Sequence, residues 1–390
     1  MSEQNLRELR RGIRAIDSEL VRLVGKRLGL VRKVGILKQE LKMPIVDRST
    51  ERAVVENFVT SAIEVGIDQR LARRMADLLI EESVEAQRAL RPKDPARSRV
   101  VKVAIIGAGG MGSWFARFFK TRGSSVIISD RDRRKARLLA SRIHVRWASN
   151  NVEAVRGSEI VVLATPANVT SNIINQILPA IAKNAILVDI CAVKSAVIPA
   201  LRLAEKRGVQ IASIHPMFGP RASSLRGKNV IVIRTGGRPG GSSRVKHLLE
   251  GARLLAADPR VHDRQTAITL ALPHFLNMTF AMTMSGRSLA EIRKFAGRTF
   301  DLQMLLAQNI GNEPQTTADI LIMNKEFRVI LRDLQRNTRL LAETVNGRDR
   351  ARLIAYNRRI REHLSSDPKF ALAEAAFERA CEASSTERSR

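Results

Sequence analysis

The hydrophobic period of this chain changes twice, and that change restricts its possible folds more than any other feature. Apolar residues fall at Leu6, Leu9, Ile13, Ile16, Leu20 and Leu23, then resume at Leu30, Val34, Leu37 and Leu41. Steps of three and four sustained over about ten turns predict one long amphipathic helix. Pro44 ends it, Asp47 is placed to cap a second helix, and a third helical stretch runs from Asp68 to about Leu90. No strand signal interrupts these three helices. Arg91 to Arg99, charged and holding two prolines, reads as a linker.

Beyond the linker the pattern alternates between strand and helix. Val100 to Ile106, Val126 to Ser129, Ile160 to Ala164, Ile186 to Ile190, Ile211 to Ile214 and Val230 to Ile233 are short β-rich runs, which predict a doubly wound sheet of the Rossmann type. From about Arg264 to Leu364 the pattern is helical again, and the small, charged residues Ser384 to Arg390 read as a disordered end. The expected organisation is therefore multidomain: an all-α three-helix domain over 1–91, a linker over 92–99, an α/β doubly wound dinucleotide domain over 100–263, an all-α C-terminal domain over 264–370, and a tail over 371–390.

Directly after the first of these strands comes Gly107-Ala108-Gly109-Gly110-Met111-Gly112, a G-x-G-x-x-G whose glycines allow a tight turn and close approach of backbone amides to a pyrophosphate. Asp130 ends the second strand, where its carboxylate can accept from ribose hydroxyls and repel a 2′-phosphate. This favours NAD, although Arg131 next in line can pair with a 2′-phosphate and leaves NADP open. Thr165 and Pro166, closing another strand, would lie beside the same cofactor.

Net charge is +29, of which +6 lies in residues 1–99 and +23 in the rest. Such a field attracts phosphate without any motif, so a nucleic-acid-binding regulator is a rival class. The charges are scattered among acids, however, and at 4% aromatic residues a single-strand stacking platform is not expected. A field that gathers small dianionic substrates accounts for the charge as well. With only Cys191 and Cys381, neither a disulfide framework nor a cysteine metal cage is expected. No apolar run approaches the ~18 residues of a membrane helix, and Met1 to Arg14 lacks the apolar segment of a signal peptide, so a cytoplasmic location is expected.

Within the first domain the informative residue is Arg27, a cation at a stripe position where the spacing calls for an apolar side chain. Lys38 lies eleven residues on, about 20° around the helix and roughly 16 Å along it, so the two can reach opposite ends of one anion. Arg10 is roughly 25 Å from Arg27 along the axis and can join only from a second subunit. Leu9-Arg10, Asp17, Lys26-Arg27, Lys38, Pro44, Asp47, Glu51 and the run Ile80 to Gln87 resemble the all-helical chorismate mutases found fused to prephenate dehydrogenases or dehydratases. The resemblance implies that Arg10 of a partner chain, Arg27 and Lys38 bind the carboxylates of chorismate, that Lys38 and Gln87 reach its ether oxygen, and that Glu51, Asp47 and Ser83 hold its hydroxyl end. Thr50 stands where some relatives carry a further Arg.

Residues 101 to about 365 resemble prephenate and arogenate dehydrogenases, most clearly in Ile186 to Lys194, His215 to Pro220 (HPMFGP), His262-Asp263 and Ala318 to Met323. That resemblance implies that His215 accepts a proton or strong hydrogen bond from the ring hydroxyl as hydride leaves for NAD. His274, His262 and His247 default to structural roles. Two departures stand out: Ala192 replaces a Ser expected beside the histidine, and Gln308 falls where relatives place an Arg on the ring carboxylate. Arg221, where relatives carry an acid, is a candidate replacement. The chain thus reads as a bifunctional, homodimeric enzyme of tyrosine biosynthesis acting on chorismate and prephenate with NAD, without nucleic-acid or membrane partners. The rivals are an arogenate-using enzyme, or another NAD(P)-dependent hydroxyacid dehydrogenase with a helical dimerisation arm.

Overall fold

The computed structural model describes residues 3–41, 43–45, 47–90, 100–236, 240–311 and 313–367. The expected linker and C-terminal tail, with Cys381, lie outside them. The chain divides into two compact units, residues 1–99 and 100–390.

The first unit holds α1 (Glu3–Glu40), α2 (Arg48–Glu64) and α3 (Gln69–Ala89). At 38 residues α1 extends about 57 Å. Asp47 caps α2, accepting from the backbone amides of Ser49 and Thr50. The small core, Ala62, Ala72, Ala76, Ile80 and Val84, lies where α3 packs against both other helices. The apolar stripe of α1 does not contribute to it: Leu9 is 68% exposed, Leu30 63% and Leu41 67%. The face of α1 turned to α3 carries half-buried Arg27, Val31 and Lys38 with buried Gly35. A Cβ on Gly35 would come within 2.9 Å of Leu90 Cδ1 and 3.0 Å of Gln87 Cγ, so the two helices approach as closely as they do because that side chain is missing.

The second unit is built on eight strands: β1 (Lys102–Ile106), β2 (Ser125–Ser129), β3 (Arg146–Trp147), β4 (Ile160–Leu163), β5 (Ile186–Asp189), β6 (Gln210–Pro216), β7 (Asn229–Ile233) and β8 (Arg253–Ala257). Their order is β3-β2-β1-β4-β5-β6-β7-β8, parallel throughout except between β6 and β7. Six of them coincide with the runs expected from the sequence. β3 is two residues long and carries no period, while β8 (RLLAA) has no β-branched or aromatic residue to signal a strand. Helices α4 (Gly110–Thr121), α5 (Arg133–Arg142), α6 (Asn151–Val155), α7 (Ala167–Ile177), α8 (Ile198–Lys206) and α9 (Gly240–Leu248) connect the strands. One apolar layer joins Val103 and Ile105 to the α4 ring cluster of Trp114, Phe115, Phe118 and Phe119. The opposite layer joins Val161 and Leu187 to Ile174 of α7 and Leu201 of α8.

The helical remainder comprises α10 (Pro259–Thr266), a π turn (Ala267–Ala271), α11 (Leu272–Met284), α12 (Leu289–Lys294), α13 (Arg298–Gly311), α14 (Pro314–Met323), α15 (Phe327–Asn346) and α16 (Arg350–Ser365). The continuous stretch Pro259–Met284 is long and apolar enough, by length and composition, to cross a membrane, which corrects the expectation that no such run exists. Its opening turns bury His262 and Asp263 in hydrogen bonds to His215 and to the turn after β5.

One ion pair ties the sheet together at its functional end. Lys194 Nζ donates to Asp189 Oδ2 and to the Ile214 carbonyl, both at 2.7 Å, and neither charged side chain is exposed at all. Ser213 Oγ and the Cys191 amide complete the Asp189 carboxylate. β5, β6 and the turn after β5 therefore share one buried charge cluster. Removing a partner from such a pair leaves an uncompensated charge, so Lys194→Met should lower stability by about 3–5 kcal/mol. Thermal unfolding tests this, and an unchanged Tm would show that the pair contributes nothing.

Candidate active sites

The C-terminal ends of the parallel strands form one edge, where the order reverses between β1 and β4. Such a switch point is where doubly wound sheets take their ligands. The turn after β1 runs from Gly107 to Gly112. Gly107 has φ +106°, and a Cβ there would lie 2.3 Å from the Ala164 carbonyl oxygen. A Cβ on Gly112 would lie 1.8 Å from the Gly107 carbonyl oxygen. Both glycines are demanded by the protein itself. Gly109 differs: a Cβ there meets nothing within 4 Å, and as the N-cap of α4 it supplies no side-chain hydrogen bond. The helix start is thus left open, with backbone amides available to an anion, and this geometry fits a dinucleotide pyrophosphate. Asp130 closes the turn from β2, its Oδ2 accepting from Ala108 N at 2.7 Å and its Oδ1 from Asp132 N at 2.8 Å. A carboxylate has lone pairs left for ribose hydroxyls after two such bonds. Thr165 Oγ1 lies 2.8 Å from Thr170 Oγ1, and Pro166 precedes α7.

The start of α7 is held by Asp319 of α14, whose Oδ2 accepts from Ala167 N at 2.6 Å. Burial pushes the Asp319 carboxyl up, against the pull of the Ala167 and Asn168 amides. This gives the Ala318–Met323 run a physical role that periodicity could not disclose.

His215 sits near the end of β6, 7% exposed. Its Nδ1 lies 2.8 Å from Nε2 of His262, whose Nδ1 lies 2.8 Å from Asp263 Oδ1. The Asp263 carboxylate also accepts from the amides of Lys194 at 2.9 Å and Ser195 at 2.8 Å. Burial, then the neighbouring charge of Lys194, holds the His215 imidazole well below its ordinary value of 6.5, so it is a neutral base at neutral pH. His262, read from the sequence as structural by default, is the direct hydrogen-bond partner of His215. Ala192 is half-buried against Ala267, Ala271, Ile320 and Phe327, so the histidine's orientation is set by His262 where a serine was expected. Arg221 and Gln308 are exposed, and neither is hydrogen-bonded to His215 among the described residues. His274 Nδ1 lies 3.3 Å from Thr317 Oγ1, away from this chain of contacts. Burial also lowers the His274 imidazole.

In the first unit, Arg27 Nη1 donates to Ser83 Oγ at 2.7 Å and to the Leu79 carbonyl at 3.0 Å, which gives the misplaced cation its partners on α3. Burial lowers its guanidinium from the ordinary value. Lys38 Nζ donates to the Ile45 carbonyl at 3.0 Å, and Glu51 is half-buried in the first turn of α2. Hydrogen bonds from the Ser49 and Thr50 hydroxyls hold the Asp47 carboxyl far below the usual range. Ser83 and Gln87 are 9% and 8% exposed, so they are not a solvated pair. Gln87 Oε1 and Gln39 Nε2 are buried without a hydrogen-bond partner among the described residues, polar capacity that a ligand can use. Gln39 carried no signal in the sequence, being an ordinary helix former. Arg10 is exposed and is not brought to Arg27 within one chain.

A dinucleotide-type site with a buried histidine thus shares a chain with a helical unit holding half-buried cations and a buried amide. Residues 9–88 match chorismate mutase type II, residues 115–250 the nucleotide-binding domain of prephenate dehydrogenase, and residues 258–359 its dimerization domain. The chain belongs to the family that joins a chorismate mutase to a prephenate dehydrogenase, with an NAD(P)-type cofactor site. It is 26% identical over 339 residues to the T-protein of Haemophilus influenzae, covering 85% of this chain and 84% of that one. It is 30% identical over 276 residues to a probable arogenate/prephenate dehydrogenase of Methanocaldococcus jannaschii, covering 68% of this chain and 62% of that protein. The fold matches a prephenate dehydrogenase from A. aeolicus solved with hydroxyphenyl propionate and NAD+ (TM-score 0.57, 20% identity, 69% of this chain and 99% of that one).

The glycine geometry separates two substitutions. Gly112→Ala should unfold the turn and lower Tm, whereas Gly109→Ala should keep Tm and weaken NAD binding at least tenfold. Calorimetric titration alongside thermal unfolding checks both, and equal effects on Tm would contradict the assignment of the open position.

Proposed function

We propose that this chain rearranges chorismate to prephenate in its first unit and oxidatively decarboxylates prephenate to 4-hydroxyphenylpyruvate in its second, as a cytoplasmic homodimer serving tyrosine biosynthesis. The observation that carries the reading is the neutral, buried His215 on the same strand edge as the open glycine turn.

The first reaction is pericyclic and needs no nucleophile. Catalysis consists of holding a compact conformer and stabilising negative charge that grows on the ether oxygen. Arg27 and Lys38 supply cations on one face of α1, and Gln87 supplies an amide from α3. Glu51 takes the hydroxyl end, and Arg10 of a second copy closes the site. The exposed stripe of α1 supports that second copy, because an apolar face of this length is stable only when covered.

In the second reaction the bound NAD supplies a hydride acceptor at the ring carbon. The helix start left open at Gly109, in the turn that Gly107 and Gly112 shape, would hold its pyrophosphate, Thr165 and Pro166 would flank it, and Asp130 would favour NAD by accepting from the ribose hydroxyls. His215 takes the proton of the ring hydroxyl on Nε2 as the carbonyl forms. The carbon–carbon bond to the ring carboxylate then breaks, carbon dioxide leaves, the bonding pair aromatises the ring, and the resulting phenolate oxygen takes the proton back from His215 Nε2. Arg221 is the candidate cation for the second carboxylate, and Arg221→Ala should raise the prephenate KM.

Chorismate plus NAD, followed for chorismate loss and NADH gain in one cuvette with prephenate and arogenate controls, tests the whole reading. Both signals are expected, and neither control yielding NADH would overturn the second half. Lys38→Ala and Gln87→Ala should each cut mutase kcat by at least 100-fold with little change in Tm.

The pH dependence follows from His215. In the unfolded chain it takes a proton near 6.5, whereas in the folded chain it does so only at lower pH. Stability that depends on the neutral ring is therefore lost as pH falls below 6.5, and dehydrogenase kcat/KM should stay level down through that value before it declines. An acid limb centred at or above 6.5 would count against His215 as the base.

A further inference from the structure

The contacts behind His215 form a chain with a fixed direction. Asp263 is 2% exposed, His262 1% and His215 7%. Burial pushes the Asp263 carboxyl up, but the hydrogen bonds from His262 and from the Lys194 and Ser195 amides outweigh it and hold the group ionised. An ionised carboxylate only accepts. The 2.8 Å contact from His262 Nδ1 therefore places the His262 proton on Nδ1 and leaves its Nε2 as an acceptor. The 2.8 Å contact to His215 Nδ1 then places the His215 proton on Nδ1. The remaining lone pair of His215 must lie on Nε2.

The direction is braced from several elements. Lys194 and Ser195 donate to Asp263 from the turn after β5, and Asn324 Nδ2 donates to the Asp263 carbonyl at 2.9 Å. Thr266 Oγ1 donates to the His262 carbonyl at 3.0 Å. Of the groups acting on His215, Lys194, which is paired with Asp189, and then His262 disfavour its protonation, and Asp263 favours it.

We infer that His262 and Asp263 are positioning residues that lock His215 in the Nδ1–H tautomer and steady the imidazolium formed when Nε2 takes the substrate proton. Asp263 stays ionised throughout and receives no proton, and the proton gained from the hydroxyl remains on His215 Nε2 until it returns to the phenolate oxygen left when carbon dioxide departs. This rests on the dehydrogenase reading for its consequence in turnover, while the tautomer itself can be measured without substrate.

Three variants of the full chain test it: Asp263→Asn, His262→Gln and the conservative Asp263→Glu. Asparagine can present a donor to His262 Nδ1, which reverses the chain, and in a comparable serine-protease arrangement such a change costs about 10⁴ in kcat. Asp263→Asn and His262→Gln should lower prephenate kcat by about 10²- to 10⁴-fold, with prephenate KM and NAD affinity within about threefold of wild type. Asp263→Glu should restore part of the loss. Nitrogen-15 spectra of labelled histidine should show His215 protonated at Nδ1 in the wild type and altered in Asp263→Asn. Wild-type kcat in both variants, or a wild-type His215 protonated at Nε2, would overturn the inference. A fall in Tm with kcat per folded molecule unchanged would also overturn it, leaving a merely structural pair. Wild-type protein that makes no NADH from prephenate or arogenate while showing the Nδ1–H tautomer would overturn the dehydrogenase reading and leave the lock standing.

Discussion

The buried pair of Lys194 and Asp189 is the constraint on which the catalytic edge of the sheet depends. A charge with no exposed surface is tolerated only when its partner and all remaining hydrogen-bonding positions are filled. Here the filling groups come from the end of β5, the turn that follows it, and β6. Satisfying the charge therefore fixes the strand that carries His215 relative to the turn that braces Asp263. Stability and site geometry are joined through one network, so a change that loosens the first also misaligns the second.

The two units reach function by opposite uses of polarity. In the sheet unit the titrating group, His215, is buried and held neutral. In the helical unit Arg27 is kept charged although half-buried, and its bonds to Ser83 and the Leu79 carbonyl use part of its donor fork while leaving other donors for a ligand. Gly35 belongs to the same logic, because its missing side chain lets α3 bring Gln87 against α1. Each arrangement suits its chemistry: proton removal needs a free base, and a rearrangement without proton transfer needs fixed donors.

Much of this was legible in the residues. The period of α1, the Asp47 cap, the glycine turn and the six main strands follow from local rules, and the structure has them. His215 stood out through its neighbours Pro216 to Pro220. What could not be read was anything that depends on residues meeting across the chain. His262 is 47 positions from His215, and nothing local distinguishes a histidine that partners a base from one that fills a core. Asp319 reaches the start of α7 across 152 positions, and β8 shows no strand residues because its order comes from pairing with β7. The stripe of α1 was legible as apolar, but not that α3 would leave it uncovered. Arg221 and Gln308 stand out only through the resemblance to relatives, and both are exposed, so burial gives neither a role.

That uncovered stripe has a thermodynamic consequence. With Leu6, Leu9, Ile13, Ile16, Leu20 and Leu23 all at least 48% exposed in a single chain, the free energy of the first unit contains a term set by how often it meets a covering surface. For a unit of this kind stability is a function of protein concentration as well as of sequence. Dilution acts on it as heat does, drawing the equilibrium toward frayed helices. The sheet of the second unit encloses its two apolar layers within one chain, whereas the helices that follow it, residues 258–359, match a dimerization domain and leave Phe295, Ile322 and Met282 exposed.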